Sequence, residues 1–126
     1  MYAVQLEAYR TAQNSVVSGR EIEAAALTRC ALMLSDCRQN WDAADRDEKL
    51  AEALRRNQMV WSILKSELAK DDNPLPVEIR NNILTLSVFI DKRIIQVMAD
   101  PEPDKLAILI DINLNLAAGL RGSPVK

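Results

Sequence analysis

The chain has 126 residues, of which 48% are apolar and 27% are charged, a composition that suits a single globular domain. Its 16 basic and 18 acidic residues nearly cancel, and a net charge of −2 argues against a nucleic-acid binder with a broad basic surface. No apolar run approaches the roughly 20 residues that span a bilayer, so we expect no membrane insertion.

The first two predicted helices lie on either side of a polar segment. Residues 1–13 carry Leu6 and Tyr9 at helical spacing, and residues 14–19 contain Asn, Ser and Gly, which favour a break. A second helix is predicted over residues 20–40, near the centre of the bundle because its alanines permit close approach. Its main apolar row consists of Ile22, Ala26, Cys30, Met33 and Cys37. A neighbouring apolar row consists of Leu27, Ala31 and Leu34.

The two cysteines fall seven positions apart on this predicted helix. Cys30 and Cys37 then stand about 10 Å from each other, which is too far for a mutual disulfide. The sequence contains no histidine, which argues against a zinc site. We therefore interpret both cysteines as small core residues, and the sequence implies no cofactor.

The strongest periodic signal spans residues 50–68 and follows an acidic connection at residues 41–49, in which Asp45 or Asp47 is a candidate helix cap. Successive positions alternate at spacings of four and three, which places their side chains on one stripe of a helix. The stripe consists of Leu50, Leu54, Asn57, Trp61, Leu64 and Leu68, and it is widened by Ala53, Val60 and Ile63. Since a one-sided apolar helix must be covered, we expect the other helices to pack around it and Trp61 to be buried.

Asn57 is the one polar residue within that stripe. An amide buried without hydrogen-bond partners costs roughly 1–3 kcal/mol, so we expect the Asn57 side chain to have such partners. Two interpretations remain open: a wet edge where the amide binds water, or a bond to another buried polar group that fixes the packing register.

Two further helices are predicted after the stop signal at residues 71–74. The first runs over residues 76–98, with Pro76 in its first turn, and it is apolar on so much of its surface that it is either central to the fold or binds something. One of its rows consists of Ile79, Ile83, Leu86, Ile90 and Val97, and the other of Leu84, Val88, Ile95 and Met98 with Asp91 among them. The second runs over residues 104–118, with Asn113 inward and Gly119 as a candidate cap.

The predicted fold is therefore all-α, a single-domain bundle of four to five helices over residues 1–121, with a flexible tail at residues 122–126. We expect no strand, because two-residue alternation is not sustained anywhere. Asn57, Asp91 and Asn113 stand in apolar rows of different helices, and we expect at least two of them to share a hydrogen-bond network. The alternative for Asp91 is a surface pair with an arginine.

Few residues of this chain match the patterns of known catalytic sites. It has no histidine, no glycine-rich phosphate loop and no evident base beside any of its serines. The acidic connection lacks the spacing of a calcium loop. We interpret the basic pairs Arg55–Arg56 and Lys92–Arg93 as solvated helix faces, and we expect an interaction protein rather than an enzyme.

Short segments along nearly the whole chain carry a family resemblance. They are Ala8-Tyr9, SGREIEA at residues 18–24, LRRNQMVW at 54–61, Leu75-Pro76, LSVFID at 86–91, LIDIN at 109–113 and Gly119-Leu120. In this order they resemble the flagellar biosynthesis regulator FlaF family of α-proteobacteria. Phe89 stands where many members have Trp, and the connection around residues 42–49 varies in length as a loop does.

The resemblance implies a cytoplasmic accessory protein that binds flagellin before export, or that helps to set flagellin production with its partner FlbT. Residues 2–13 do not form a secretory signal, which agrees with that location. Family membership implies no catalytic residues. Two competing interpretations are a post-transcriptional regulator of flagellin expression that acts with FlbT without itself chaperoning flagellin, and a structural subunit whose apolar surplus serves self-association.

Overall fold

The computed structural model describes the backbone over residues 2–122 and the side chains over residues 19–122. The helices are α1 (Tyr2–Gln39), α2 (Arg46–Leu68), α3 (Val77–Ala99) and α4 (Ala107–Leu120), and a short 3-10 helix (Pro103–Leu106) leads into α4. No strand occurs between residues 2 and 122. The all-α prediction is confirmed, with four α-helices.

The predicted break between the first two helices is wrong, because α1 runs without interruption through residues 14–19. This segment contains no proline. Its Asn, Ser and Gly residues each disfavour a helix by about 1 kcal/mol or less, which does not end a helix without an additional stop signal. The predicted inward positions of Leu6 and Tyr9 lie outside the side chains that the structure describes.

The later helix ends follow the predictions closely, apart from their caps. Asp45 occupies the position before α2 but makes no side-chain capping bond. Pro76 lies just outside α3 in an extended conformation, and its missing amide hydrogen does no harm there. Gly119 lies within α4 and was wrongly predicted as a cap; Gly122 has the positive φ of 77° that favours glycine. Most of the predicted tail, residues 123–126, lies outside the described residues.

The second half of α1 packs against both α2 and α4, and α3 packs against α2. Ion pairs of Arg38 with Asp104 (3.6 Å) and of Arg121 with Glu21 (3.7 Å) mark the two ends of the antiparallel α1–α4 pair. This confirms the central position expected for residues 20–40. The largest fully buried apolar side chains include Leu27, Leu34, Trp61, Ile90, Ile94 and Leu109.

Some apolar residues predicted to face inward lie at the surface instead. Ile22 is 69% exposed, Ile79 is 45% exposed, and Ile63, at the edge of the α2 stripe, is also exposed. Each stands at the margin of its row, where a helix turns away from the core within one residue. No helix among residues 2–122 is both long and apolar enough to cross a membrane.

Both cysteines lie in the core, as predicted. Cys30 is fully buried and Cys37 is nearly so, and neither forms a disulfide. Burial raises the pKa of both thiols above the ordinary value, which keeps them protonated at neutral pH. A protonated buried thiol is a poor nucleophile and a poor metal ligand.

Candidate functional site

The inner face of α2 carries the predicted stripe into the core. All six positions of the stripe are buried, and Trp61 is 1% exposed. Its indole is held between α2 and α4, where the polar edge of the ring needs a hydrogen-bond acceptor. The structure provides that acceptor on α4.

Three polar side chains form a buried chain of hydrogen bonds between α2 and α4. Nε1 of Trp61 donates to Oδ1 of Asn113 at 2.9 Å, and Nδ2 of Asn113 donates to Oδ1 of Asn57 at 2.6 Å. Both asparagines are fully buried. Of the two interpretations of Asn57, the structure therefore shows the bond to another buried polar group.

The donor and acceptor atoms of this chain can be assigned from Trp61, because an indole nitrogen only donates. Oδ1 of Asn113 must face Trp61, so Nδ2 of Asn113 faces Asn57, which accepts through its own Oδ1. Nδ2 of Asn57 is buried, and among residues 19–122 it has no acceptor. An unmet donor of this kind costs about 1–3 kcal/mol, so the chain contributes more to register than to stability.

Of the three polar residues in apolar rows, Asn57 and Asn113 share this chain of hydrogen bonds, as expected for at least two of them, and Asp91 does not belong to it. It is half-buried on α3, and Oδ2 accepts from Nζ of Lys65 on α2 at 3.2 Å. The partner is a lysine rather than the arginine considered from the sequence. Asp91 therefore joins α3 to α2 at the surface, while the buried asparagines join α2 to α4.

A second apolar stripe lies on α3, and it faces solvent. Its positions again alternate at spacings of four and three, and it consists of Val77, Asn81, Leu84, Val88, Asp91, Ile95 and Met98. Val88 is 54% exposed, and Ile95 and Met98 are each 64% exposed. The core is instead contacted by a different face of α3, formed by Ile83, Ser87, Ile90, Ile94 and Val97. We call the solvent-facing row the α3 stripe.

The α3 stripe is the largest concentration of exposed apolar side chains in the described part of the chain. Half of the strongly exposed large apolar residues between positions 19 and 122 lie on α3. Contiguous apolar surface on a soluble protein marks a binding face more often than chance placement. The sequence showed a second apolar row here, but it could not show which of the two rows the bundle covers.

The fold and these surfaces define a small all-α bundle with a buried polar link between two helices and an apolar helix face open to solvent. The family model described as flagellar protein FlaF matches residues 5–120. Since the match spans most of the chain, the protein belongs to the FlaF family, as the sequence resemblance indicated, and is a flagellar protein. No curated protein and no solved structure matches the chain.

Proposed function

We propose that this protein binds flagellin in the cytoplasm as an export chaperone, and that flagellin production responds to this binding. Membership of the FlaF family supports a flagellar role. The observation that carries the binding proposal is the α3 stripe, in which the apolar side chains of Val77, Val88, Ile95 and Met98 are exposed to solvent.

An amphipathic helix of flagellin would complement the apolar face of α3. The ends of flagellin are amphipathic helices that must stay unpolymerised until secretion, and an apolar helix face can cover such a segment. Alternating spacings of four and three suit side-by-side packing with a partner helix over several turns. Asn81 and Asp91 interrupt the α3 stripe and favour one register of the partner over others.

The test measures binding of purified flagellin from the same genome to the full-length protein by calorimetry. We expect Val88→Lys combined with Ile95→Lys to weaken binding by about tenfold or more, because two apolar contacts are replaced by charges. Both positions are exposed, so the melting temperature should stay close to that of the parent.

The matched control is Asn82→Lys combined with Gln96→Lys, which adds the same charge to exposed polar positions of the same helix. This control should bind flagellin as the parent does. A parent protein that leaves flagellin unbound but is retained by FlbT would overturn the chaperone proposal in favour of a regulator. Direct contact with messenger RNA finds no support in a net charge of −2.

A further inference from the structure

A second surface lies where α1 and α2 meet, away from the α3 stripe. Ile22 and Ala26 of α1 face Val60 and Ile63 of α2 across a groove of about 140 Å³, over a floor of Leu27 and Leu64. Ile22 is 69% exposed and Ile63 is 58% exposed, so the walls of the groove present apolar surface to water. The one charged residue that lines this section is Glu23, at its edge.

The groove between α1 and α2 continues towards the α1–α2 connection, where the residues that line it become acidic. This section, of about 360 Å³, is lined by Met33, Asp36, Cys37, Asp45, Glu48, Lys49 and Glu52. Four carboxylates and one ammonium group line it, and since Glu52 is also paired with Arg55, the local charge is −2. Lys49 is engaged with Asp45 at 3.5 Å, while Asp36 and Glu48 make no ion pair with any residue from 19 to 122.

Helical spacing joins these two sections into one surface. On α1, Ile22, Ala26, Met33 and Asp36 recur at intervals that keep them on one side of the helix, and on α2 so do Lys49, Glu52, Val60 and Ile63. We call the whole surface the α1–α2 furrow. About ten residues of α1, or roughly 15 Å, separate its apolar section from its acidic section.

Arg56 lies between the two sections of the furrow. It is half-buried, and its Nε is buried without a hydrogen-bond acceptor in the described part of the chain. Its positive charge acts on the Cys30 thiol and lowers the pKa of that group slightly against the larger effect of burial. A carboxylate on a molecule lying in the furrow would supply the missing acceptor.

We propose that the α1–α2 furrow is a docking site for a basic amphipathic helix of another protein. The apolar stripe of that helix lies between Ile22 and Ile63, and its Lys or Arg residues lie over the acidic section, about ten residues further along. Charge complementarity sets the direction of the bound helix, because the reversed helix would leave its cations over Glu23 and the apolar walls. This site is separate from the α3 stripe and does not depend on flagellin.

The probe is a fluorescein-labelled synthetic helix of 20 residues with a Leu/Ala stripe and lysines in its last two turns. Its twin carries glutamates in place of those lysines. With the full-length protein, anisotropy titrations should show the lysine peptide binding about tenfold more tightly than its twin, by the attraction of opposite charges at the acidic section. That difference should shrink in 1 M salt, where the Debye length falls to about 3 Å.

Variants locate the bound peptide. Ile22→Ser combined with Ile63→Ser should weaken the lysine peptide about tenfold through lost apolar contact. Asp36→Asn combined with Glu48→Gln should remove most of the preference for lysine over glutamate. The matched control is Ile79→Ser combined with Leu114→Ser, which also replaces two exposed apolar side chains, but outside both the furrow and the α3 stripe, and it should leave peptide binding unchanged.

Three results would overturn the proposal. The first is equal binding of the two peptides at low salt, and the second is a loss in the Ile79→Ser, Leu114→Ser control as large as that in the furrow variants. The third is light scattering that shows a dimer of the parent and a monomer of the Ile22→Ser, Ile63→Ser variant, which would make a second copy of this chain the occupant. Melting curves of each variant establish that the fold is intact.

Discussion

α2 and α3 carry stripes with the same alternating spacing, yet one stripe is the centre of the core and the other faces solvent. On α2 the residues from Leu50 to Leu68 are all buried along the row. On α3 the residues from Val77 to Met98 follow the same spacing and remain largely exposed. The first row contains one polar residue, Asn57, and the second contains two, Asn81 and Asp91.

The difference lies in what each helix carries on its remaining faces. Outside its stripe α2 is mostly polar, with residues such as Arg55, Gln58 and Ser62 exposed. α3 has two apolar rows, and the bundle covers the row around Ile90 and Ile94. Alternating spacing therefore indicates that another element packs on a stripe. When a helix carries two apolar rows, as α3 does, the other helices of the same chain need not cover both.

Among the changes that test this comparison, Trp61→Ala should have the largest effect on the stability of the protein. Deleting this buried indole should lower the free energy of unfolding by about 3–5 kcal/mol, the usual range for a core aromatic. The matched change Ile95→Ala on the α3 stripe should alter it by about 0.5 kcal/mol or less. Urea unfolding of both variants provides the measurement, and similar losses in the two would mean that α3 packs into the core through both rows.

Next in size is the coupling between Asn57 and Asn113. Because Asn113 donates directly to Asn57, a double-mutant cycle with Asn57→Ala and Asn113→Ala should show a coupling of about 0.5–3 kcal/mol. Each single variant leaves the other amide less satisfied, so the double variant should lose less than the sum. Strict additivity in unfolding free energies would show that the two amides act independently despite their contact.

The α2 stripe could be predicted from the sequence because all of its information is local. Spacing between Leu50 and Leu68 identifies one face, and a single-faced helix has one way to be buried. The same local information misplaced Ile22, since it does not show how far around α1 the buried face extends. Local polarity also predicted a break at residues 14–19 that α1 does not have.

The partners of the polar residues could be predicted only in part. Asn57 and Asn113 are 56 positions apart, and the cost of burying an unpaired amide implies that each has a partner but does not identify it. Asp91 fell within an apolar row, so it was grouped with the asparagines, although that row faces solvent. The identity of Lys65 as its partner depends on how α2 crosses α3, which periodicity does not encode.

A smaller effect separates the polar residues of the two stripes by their response to salt. The pair of Asp91 with Lys65 lies at the surface, with about half of the Asp91 side chain accessible. Asp91→Ala should therefore cost about 0–1 kcal/mol at low ionic strength and less in 1 M salt. Asn57→Ala removes a bond between neutral groups in the core, and its cost should not change with salt. A salt-independent cost for Asp91→Ala would indicate that Asp91 is held by contacts other than its charge.

The smallest effect concerns a carboxylate that, unlike Asp91, faces another carboxylate. Glu23 of α1 is half-buried, and burial, followed by repulsion from Glu67 of α2, raises its pKa above the ordinary value, against a smaller opposing effect of Arg20. The folded state thus binds the Glu23 proton more tightly than the unfolded state. This contribution to stability is fully present below the ordinary glutamate pKa and is lost as the pH rises through the raised pKa.

Glu23→Gln should therefore stabilise the protein at neutral pH, where the wild-type carboxylate is charged. The gain should be a few tenths of a kcal/mol, about the size of exposed charge interactions, because Glu23 is accessible enough for water to screen its charge. As the pH falls from 7 towards 4, wild-type Glu23 becomes protonated and the difference between variant and parent should vanish. Unfolding free energies of both proteins across this pH range provide the measurement. A gain that grows towards low pH would contradict the raised pKa, whereas a gain that disappears in Glu67→Gln protein would assign it to the repulsion between Glu23 and Glu67.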